Sequence, residues 1–258
     1  MQEKGYQEIF RRVEKKYLLD AAQLDALLKQ AGRHMEPDRY GHYTICSLYM
    51  DTDDYHLIRT SLEKPLYKEK LRLRSYGVPD EDGTVFLELK KKYKGVTYKR
   101  RVSLPLRQAE EVVDKGTAAA AGLTGSSEQI LREIGWFIDR YRPSPKALIA
   151  YDRTAFSGKE DESGLRLTLD SAVRWRETGL DLTAGDHGQP LLPDGTTLME
   201  IKTPGAIPLW LCRVLSQWEI YPASFSKYGA CYRQHLLREG QRRPEKQHII
   251  RMGGIVCA

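Results

Sequence analysis

No apolar run in this 258-residue chain approaches the roughly 18 residues needed to cross a bilayer. The opening segment, MQEKGYQEIFRR, lacks the apolar stretch of a secretory leader. Cysteine is scarce. Cys46, Cys212, Cys231 and Cys257 form no CxxC pair, which excludes a zinc knuckle and a thioredoxin-type site. The six histidines show no HExxH or other metal spacing. GxxxxGK[ST], GxGxxG and GxSxG are all missing, so P-loop, dinucleotide-binding and serine-hydrolase chemistry lose their anchors. Internal repeats and low-complexity linkers are missing too. These absences predict one cytoplasmic domain over residues 1–258, with a core at about 10–239 and a basic tail at 240–258.

What is present is a globular composition with an excess of positive charge. Hydrophobic residues at 41% suffice for a packed core. Lys and Arg number 41 against 35 Asp and Glu, and the resulting +6 favours an anionic partner. Alternating segments predict strands at Phe10–Leu19, Tyr43–Met50, Lys68–Tyr76, Val85–Tyr93, Val96–Leu104, Ala147–Phe156, Leu165–Asp170 and Thr197–Lys202. Lys94-Gly95 between two of them predicts a hairpin. Helical spacing predicts helices at Asp20–Ala31, with Asp20 as cap, Leu106–Lys115, and Ser126–Tyr141, capped by Ser126 or Ser127. Two more are predicted at Ile207–Ile220 and Ser226–Glu239.

The polar faces of these strands carry the functional signal. Residues i and i+2 share a face. Lys68, Lys70, Arg72 and Arg74 therefore oppose Leu71 and Leu73. Glu88 and Lys90 oppose Leu87 and Leu89, while Lys99 and Arg101 oppose Val102 and Leu104. Arg166, Thr168 and Asp170 oppose Leu165, Leu167 and Leu169, and Glu200 and Lys202 oppose Met199 and Ile201. Arg12, Glu14 and Lys16 oppose Val13. A half-buried sheet with one face in water explains any single strand. Six basic faces together predict a closed sheet with its polar side inward, neutralised by a polyanion and a cation balanced by Glu. The inward set reads as poor in aromatics, which argues against a nucleic-acid groove and for a chain of phosphates.

Several segments carry a family resemblance. Arg12-Val13-Glu14-Lys15-Lys16-Tyr17 resembles the first-strand ExExK motif of the triphosphate tunnel metalloenzymes. Ser47–Thr52 (SLYMDT), Lys70–Gly77 (KLRLRSYG) and Phe86–Lys90 (FLELK) follow in the expected order, as do Tyr151–Phe156 (YDRTAF), Leu165–Asp170 (LRLTLD), Met199–Lys202 (MEIK) and Ser224–Tyr228 (SFSKY). Over roughly Phe10 to Tyr232 the chain resembles the vacuolar transporter chaperone (VTC) branch, the polyphosphate polymerase domain. The resemblance implies an α+β fold, a closed antiparallel β tunnel of about eight strands with helices packed outside. It also implies transfer of the ATP γ-phosphate to a growing inorganic polyphosphate chain with Mn2+ or Mg2+.

In that reading Lys16, Arg72, Arg74, Lys90, Arg153, Arg166, Lys202 and Lys227 grip the reacting phosphates. Lys70, Lys99, Arg101, Tyr17 and Ser226 bind substrate. Glu200 is the first choice of metal ligand, with Glu14 and Glu88 behind it. Hydrolytic relatives often carry glutamate where Arg12 stands, which favours polymerase over hydrolase. Ser224 stands where the family often has lysine. The SPX and membrane domains of fungal members are not seen in this sequence, so a membrane partner would be a separate polypeptide. No nucleic-acid partner is expected. A tunnel triphosphatase acting on inorganic triphosphate or nucleoside triphosphate, and a non-catalytic polyphosphate-binding module, remain the alternatives.

Overall fold

The computed structural model describes residues 13–94, 96–116 and 124–237. In chain order these form β1 (Val13–Leu19), α1 (Ala21–His34), β2 (Met35–Asp51), α2 (His56–Leu62), β3 (Tyr67–Tyr76), β4 (Thr84–Tyr93) and β5 (Val96–Pro105). There follow α3 (Leu106–Lys115), α4 (Gly125–Tyr141), β6 (Ser144–Gly158), β7 (Arg166–Arg176), the two-residue β8 (Gln189–Pro190), β9 (Thr197–Thr203), α5 (Leu209–Gln217) and α6 (Lys227–Cys231). A π-helical turn, Tyr232–Leu236, closes the described chain.

Local chemistry accounts for most of these elements. Asp20 caps α1 as expected, accepting from the Gln23 amide while Gln23 reaches back to the Asp20 N–H. Helix α4 starts after Thr124 without a side-chain cap, so neither Ser126 nor Ser127 does that work. Strands β4 and β5 pair from Tyr93↔Val96 to Thr84↔Pro105, the predicted hairpin, with Lys94 at φ 46° and Gly95 outside the described residues. Strands β2 and β7 run longer than their apolar alternation, because register shifts let them continue past the regular stretch. Helix α2 has no counterpart among the predicted helices. It is held by Asp51, whose buried carboxylate accepts from the amides of Leu57 and Ile58.

All ladders are antiparallel, in the order β1-β9-β7-β6-β2-β3-β4-β5, with β8 added beside β7. Among the described residues no ladder joins β5 to β1, so the expected hydrogen-bonded closure is not observed. The reason lies at β1. Its free edge is occupied by the chain after α5, where Ala223 donates to the Lys16 carbonyl at 2.7 Å and Pro222 bridges Tyr17. The sheet nevertheless curls until Lys90 of β4 lies in electrostatic reach of Glu14, Lys16 and Glu200 on the far strands.

Three apolar clusters frame that curl. Helices α3 and α4 cover the outer face of β2 to β5 around Leu73, Leu87, Val112 and Ile134. Helices α1 and α5 cover β1, β9 and β7 around Leu27, Met199 and Leu211. The third cluster lies on the concave side, where Tyr228, Ala230 and Cys231 of α6 pack on Ile45, Tyr49 and Ile149. Part of the concave face is therefore covered by α6, and the charged side chains lie beside it. Among the described residues no helix is long and apolar enough to cross a membrane.

Candidate functional site: a basic concave face

The alternation that buries leucines outside turns the cations of β1, β3, β4, β5, β6, β7 and β9 inward. Two groups result. In the first, Glu88 is 1% exposed and its carboxylate accepts from Arg72 Nε at 2.8 Å and Nη2 at 2.6 Å. The Lys99 ammonium stands 2.6 Å from the other oxygen, and Arg74 Nε lies 3.9 Å away. Burial by itself would raise the Glu88 carboxyl, but Arg72, Arg74 and Lys99 outweigh it and hold it down at about 2. Arg74 Nε is buried without a hydrogen-bond partner, an orphan donor aimed into a basic site.

The second group spans β1, β9, β7 and β6. Lys202 is 2.7 Å from Glu200, and Lys16 lies 3.8 Å from both Glu200 and Glu14. Burial would raise Glu200, yet Lys202, Lys16 and Arg153 bring it to about 2. Arg153 grips Asp170 with Nε at 2.6 Å and Nη2 at 2.8 Å, and Lys227 pairs with the same carboxylate. The Thr168 hydroxyl, on the residue directly opposite Glu200 in the β7–β9 ladder, is buried without a hydrogen-bond partner.

The segment entering α6 ties the two groups together. Phe225 accepts from Lys16 through its carbonyl, Ser226 accepts from Lys70 at 3.1 Å, and Lys227 reaches Asp170. Ser226 also caps α6 through the Gly229 amide. Tyr228 donates to Asp51 at 3.0 Å and stacks on Tyr49, whose hydroxyl accepts from Arg72. Asp51 thus anchors both α2 and α6 behind the cations.

Most of the residues predicted from sequence meet here: Lys16, Lys70, Arg72, Arg74, Glu88, Lys90, Lys99, Arg153, Glu200, Lys202, Ser226 and Lys227. Arg166 stands half-exposed against Asp38 at 3.2 Å, at the rim. Arg101, the β5 partner of Glu88, carries its guanidinium 4.7 Å over the Phe86 ring. Tyr17 must be taken out of the site. It alternates with Lys16, faces outward and is 2% exposed in the cluster under α1 and α5. Arg12 lies outside the described residues. The inward face is also richer in rings than the sequence reading held, because Tyr43, Tyr49, Tyr76, Phe86 and Tyr151 share it.

Tyr151 is the residue that sequence reasoning passed over most directly. It sits two positions before Arg153 on the same face and accepts from Arg74 at 3.3 Å. The Lys227 ammonium lies 4.0 Å from its ring centroid. Burial opposes its ionisation, but Arg74, Lys227 and Arg153 prevail and lower its pKa.

Lys70 offers a test of how strained this charge density is. Burial, followed by Lys68, Lys90, Lys16 and Arg72, brings its ammonium down to about 7. It is a cation below that value and neutral above it, so a bound polyanion must draw a proton back onto it at higher pH. Tripolyphosphate affinity is expected to fall as pH rises from 6 to 8.5, with proton uptake detectable by calorimetry in buffers of differing ionisation enthalpy. Lys70→Met should remove that part of the uptake, leaving the ligand's own titration. Identical proton uptake in both proteins would show that Lys70 does not change its protonation on binding.

A divalent cation can be weighed against these donors. Among the described residues no three His, Cys, Asp or Glu side chains gather as a ready cage. Glu88 is a poor fit, since its oxygens are engaged by Arg72 and Lys99. Glu200 and Glu14, bracketing Lys16, fit a hard cation that brings phosphate oxygens and water to complete its shell.

A family model described as VTC domain matches residues 11–236. No curated protein sequence matches the chain. Among solved structures, a candidate adenylate cyclase from Vibrio parahaemolyticus aligns at 14% identity and TM-score 0.45, covering 87% of this chain and 98% of that one. A candidate adenylyl cyclase from Hippeastrum, described as having a dominant triphosphatase activity, aligns at 16% identity and TM-score 0.49, covering 86% and 95%.

Proposed function

This chain belongs to the VTC domain family, and from that premise we propose that it is a polyphosphate polymerase, transferring the γ-phosphate of ATP to an inorganic polyphosphate chain along its basic concave face. The observation that carries this reading is the pairing of the acids. Arg72 and Lys99 each stand 2.6 Å from Glu88, and Lys202 and Lys16 stand 2.7 and 3.8 Å from Glu200, so despite burial both carboxyls are held well below the usual carboxylate range. A general base works best with a pKa near the working pH. Two carboxylates this acidic are poor bases for activating water. A terminal phosphate oxygen is already anionic and needs no base to attack.

The cations supply what phosphoryl transfer demands, which is positioning and neutralisation of charge. Arg72, Arg74 and Arg153 present planar donors that grip phosphate oxygens in pairs. Lys16, Lys70, Lys90, Lys99, Lys202 and Lys227 act as point charges over a longer track. Because those contacts recognise phosphate and not chain length, a product still meets cations after each transfer. Glu200, with Glu14, would hold Mn2+ or Mg2+. When bound, that cation adds Lewis-acid stabilisation of the phosphoryl oxygens. Asp170 and Glu88 keep the arginines extended and oriented until substrate arrives.

The test is product size. With γ-labelled ATP, Mn2+ and no added phosphatase, label is expected in a ladder reaching long polymer, with one ADP released per phosphate added. Label found only as orthophosphate, at the rate of ADP formation, would make the protein a triphosphatase. Binding without ADP release would make it a polyphosphate-binding module.

A further inference from the structure

One mouth of the concave face ends in rings. Tyr43 of β2, Tyr76 of β3 and Phe86 of β4 follow one another across three neighbouring strands, with successive centroids 5.8 and 5.7 Å apart. Tyr40 extends the row, edge-on to Tyr43 at 6.2 Å. Rings placed for packing are covered, yet Tyr76 is 50% exposed and Tyr40 61%. The Arg101 guanidinium lies over Phe86, adding a cationic plane to the row.

These rings abut the phosphate-gripping cations. Tyr43 pairs with Arg153 across β2 and β6, and Phe86 pairs with Arg74 across β3 and β4. Tyr76 follows Arg74 by two positions on one face, about 7 Å along the strand. A chain of phosphates has no use for an aromatic row that leaves Tyr76 in solvent at its end. A ligand that carries a flat heterocycle beyond its phosphates does, since bases stack on aromatic and guanidinium planes.

We propose that Tyr76, with Phe86, Tyr43 and Arg101, forms a base-stacking subsite for the nucleoside end of the triphosphate donor. The proposal rests on the nucleotide-dependent transfer argued above and adds an orientation to it. The donor lies with its base at this mouth and its phosphates inward, toward Arg74 and Arg153. The subsite separates the two phosphate-bearing ligands: the donor has a base to stack and the acceptor chain has none.

Equilibrium binding of ATP and of tripolyphosphate, in wild type, Tyr76→Ala and Tyr76→Trp, tests this. Tyr76→Ala is expected to weaken ATP binding about tenfold while leaving tripolyphosphate unchanged. Tyr76→Trp, which keeps a stacking plane, should retain wild-type ATP affinity. An unchanged ATP affinity in Tyr76→Ala, or an equal loss for both ligands, overturns the subsite and leaves the transfer reading standing. A short single-stranded oligonucleotide that binds through Tyr76 more tightly than ATP would assign the rings to nucleic acid and also overturn it. A wild-type protein that binds neither triphosphate would end the transfer reading, and the subsite with it.

Discussion

Glu88→Gln is expected to destabilise the protein by about 3–5 kcal/mol, the cost of stripping one partner from a buried ion pair. For a chain of this size that is a fall in melting temperature of roughly 6–20 °C. The same variant is expected to bind tripolyphosphate more tightly than wild type. Both effects come from the same geometry. Glu88 is 1% exposed and neutralises Arg72 and Lys99, with Arg74 3.9 Å away. Without it those cations repel one another, and an incoming phosphate no longer competes with a resident carboxylate. Tripolyphosphate should therefore raise the variant's melting temperature by more than it raises that of wild type. Were Glu88 a metal ligand, the pattern would invert, with near-normal stability without metal and weaker metal-dependent binding.

Acid supplies a second check on the same residue. The folded Glu88 carboxyl lies at about 2, below its ordinary value near 4.5. A depressed carboxyl stabilises the fold above the unfolded pKa, and that contribution is lost as pH falls through the folded one. The stability gap between wild type and Glu88→Gln should hold at neutral pH and narrow between about pH 4.5 and 2. A gap that stays constant across that window would mean Glu88 is not ionised in its ion pair.

How far these residues were legible in the sequence depended on what alternation can and cannot encode. The strand of Lys70, Arg72 and Arg74 was readable because leucines at 71 and 73 fix its buried face. So was the Glu88 strand, through Leu87 and Leu89. Alternation assigns a face but not a neighbour. The resemblance put Glu88 among the candidate metal ligands, whereas antiparallel register sets it between Arg72 on one side and Arg101 on the other. Tyr17 was misplaced because the resemblance covered the whole first-strand motif, although its own parity places it opposite Lys16. The rings at 43, 76 and 86 went unnoticed for a related reason. They lie on three separate segments, and only pairing of β2, β3 and β4 makes them a row. Closure was overstated because nothing in the local pattern of Pro222-Ala223 shows that it will occupy the edge of β1. Asp51 lies at the end of an apolar strand, with no local sign that it will hold the amides of α2 and the hydroxyl of Tyr228.

Glu200→Gln should lower turnover by at least about a hundredfold while leaving the fold nearly unchanged. Glu200 differs from Glu88 in setting. Its side chain is 14% exposed, and its partners Lys202 and Lys16 are themselves partly solvated at 37% and 27%. Losing the charge there costs less stability, because water can take over part of its work. Against burial, Lys202 and Lys16 hold its carboxyl down at about 2, so it is ionised at neutral pH. At neutral pH it is a hard oxygen donor for which protons do not compete with a cation. Glutamine keeps the shape but offers a neutral oxygen, and losing a Lewis acid removes several kcal/mol of transition-state stabilisation. Metal-free tripolyphosphate should bind the variant at least as tightly as wild type, since one repelling charge is gone. Mn2+ uptake by the triphosphate complex, followed by electron paramagnetic resonance, should weaken in parallel with turnover. Near-normal turnover at saturating substrate and ordinary Mn2+, in a folded variant, would remove Glu200 from metal binding. It would leave Glu14, the other carboxylate beside Lys16, as the acid to test next.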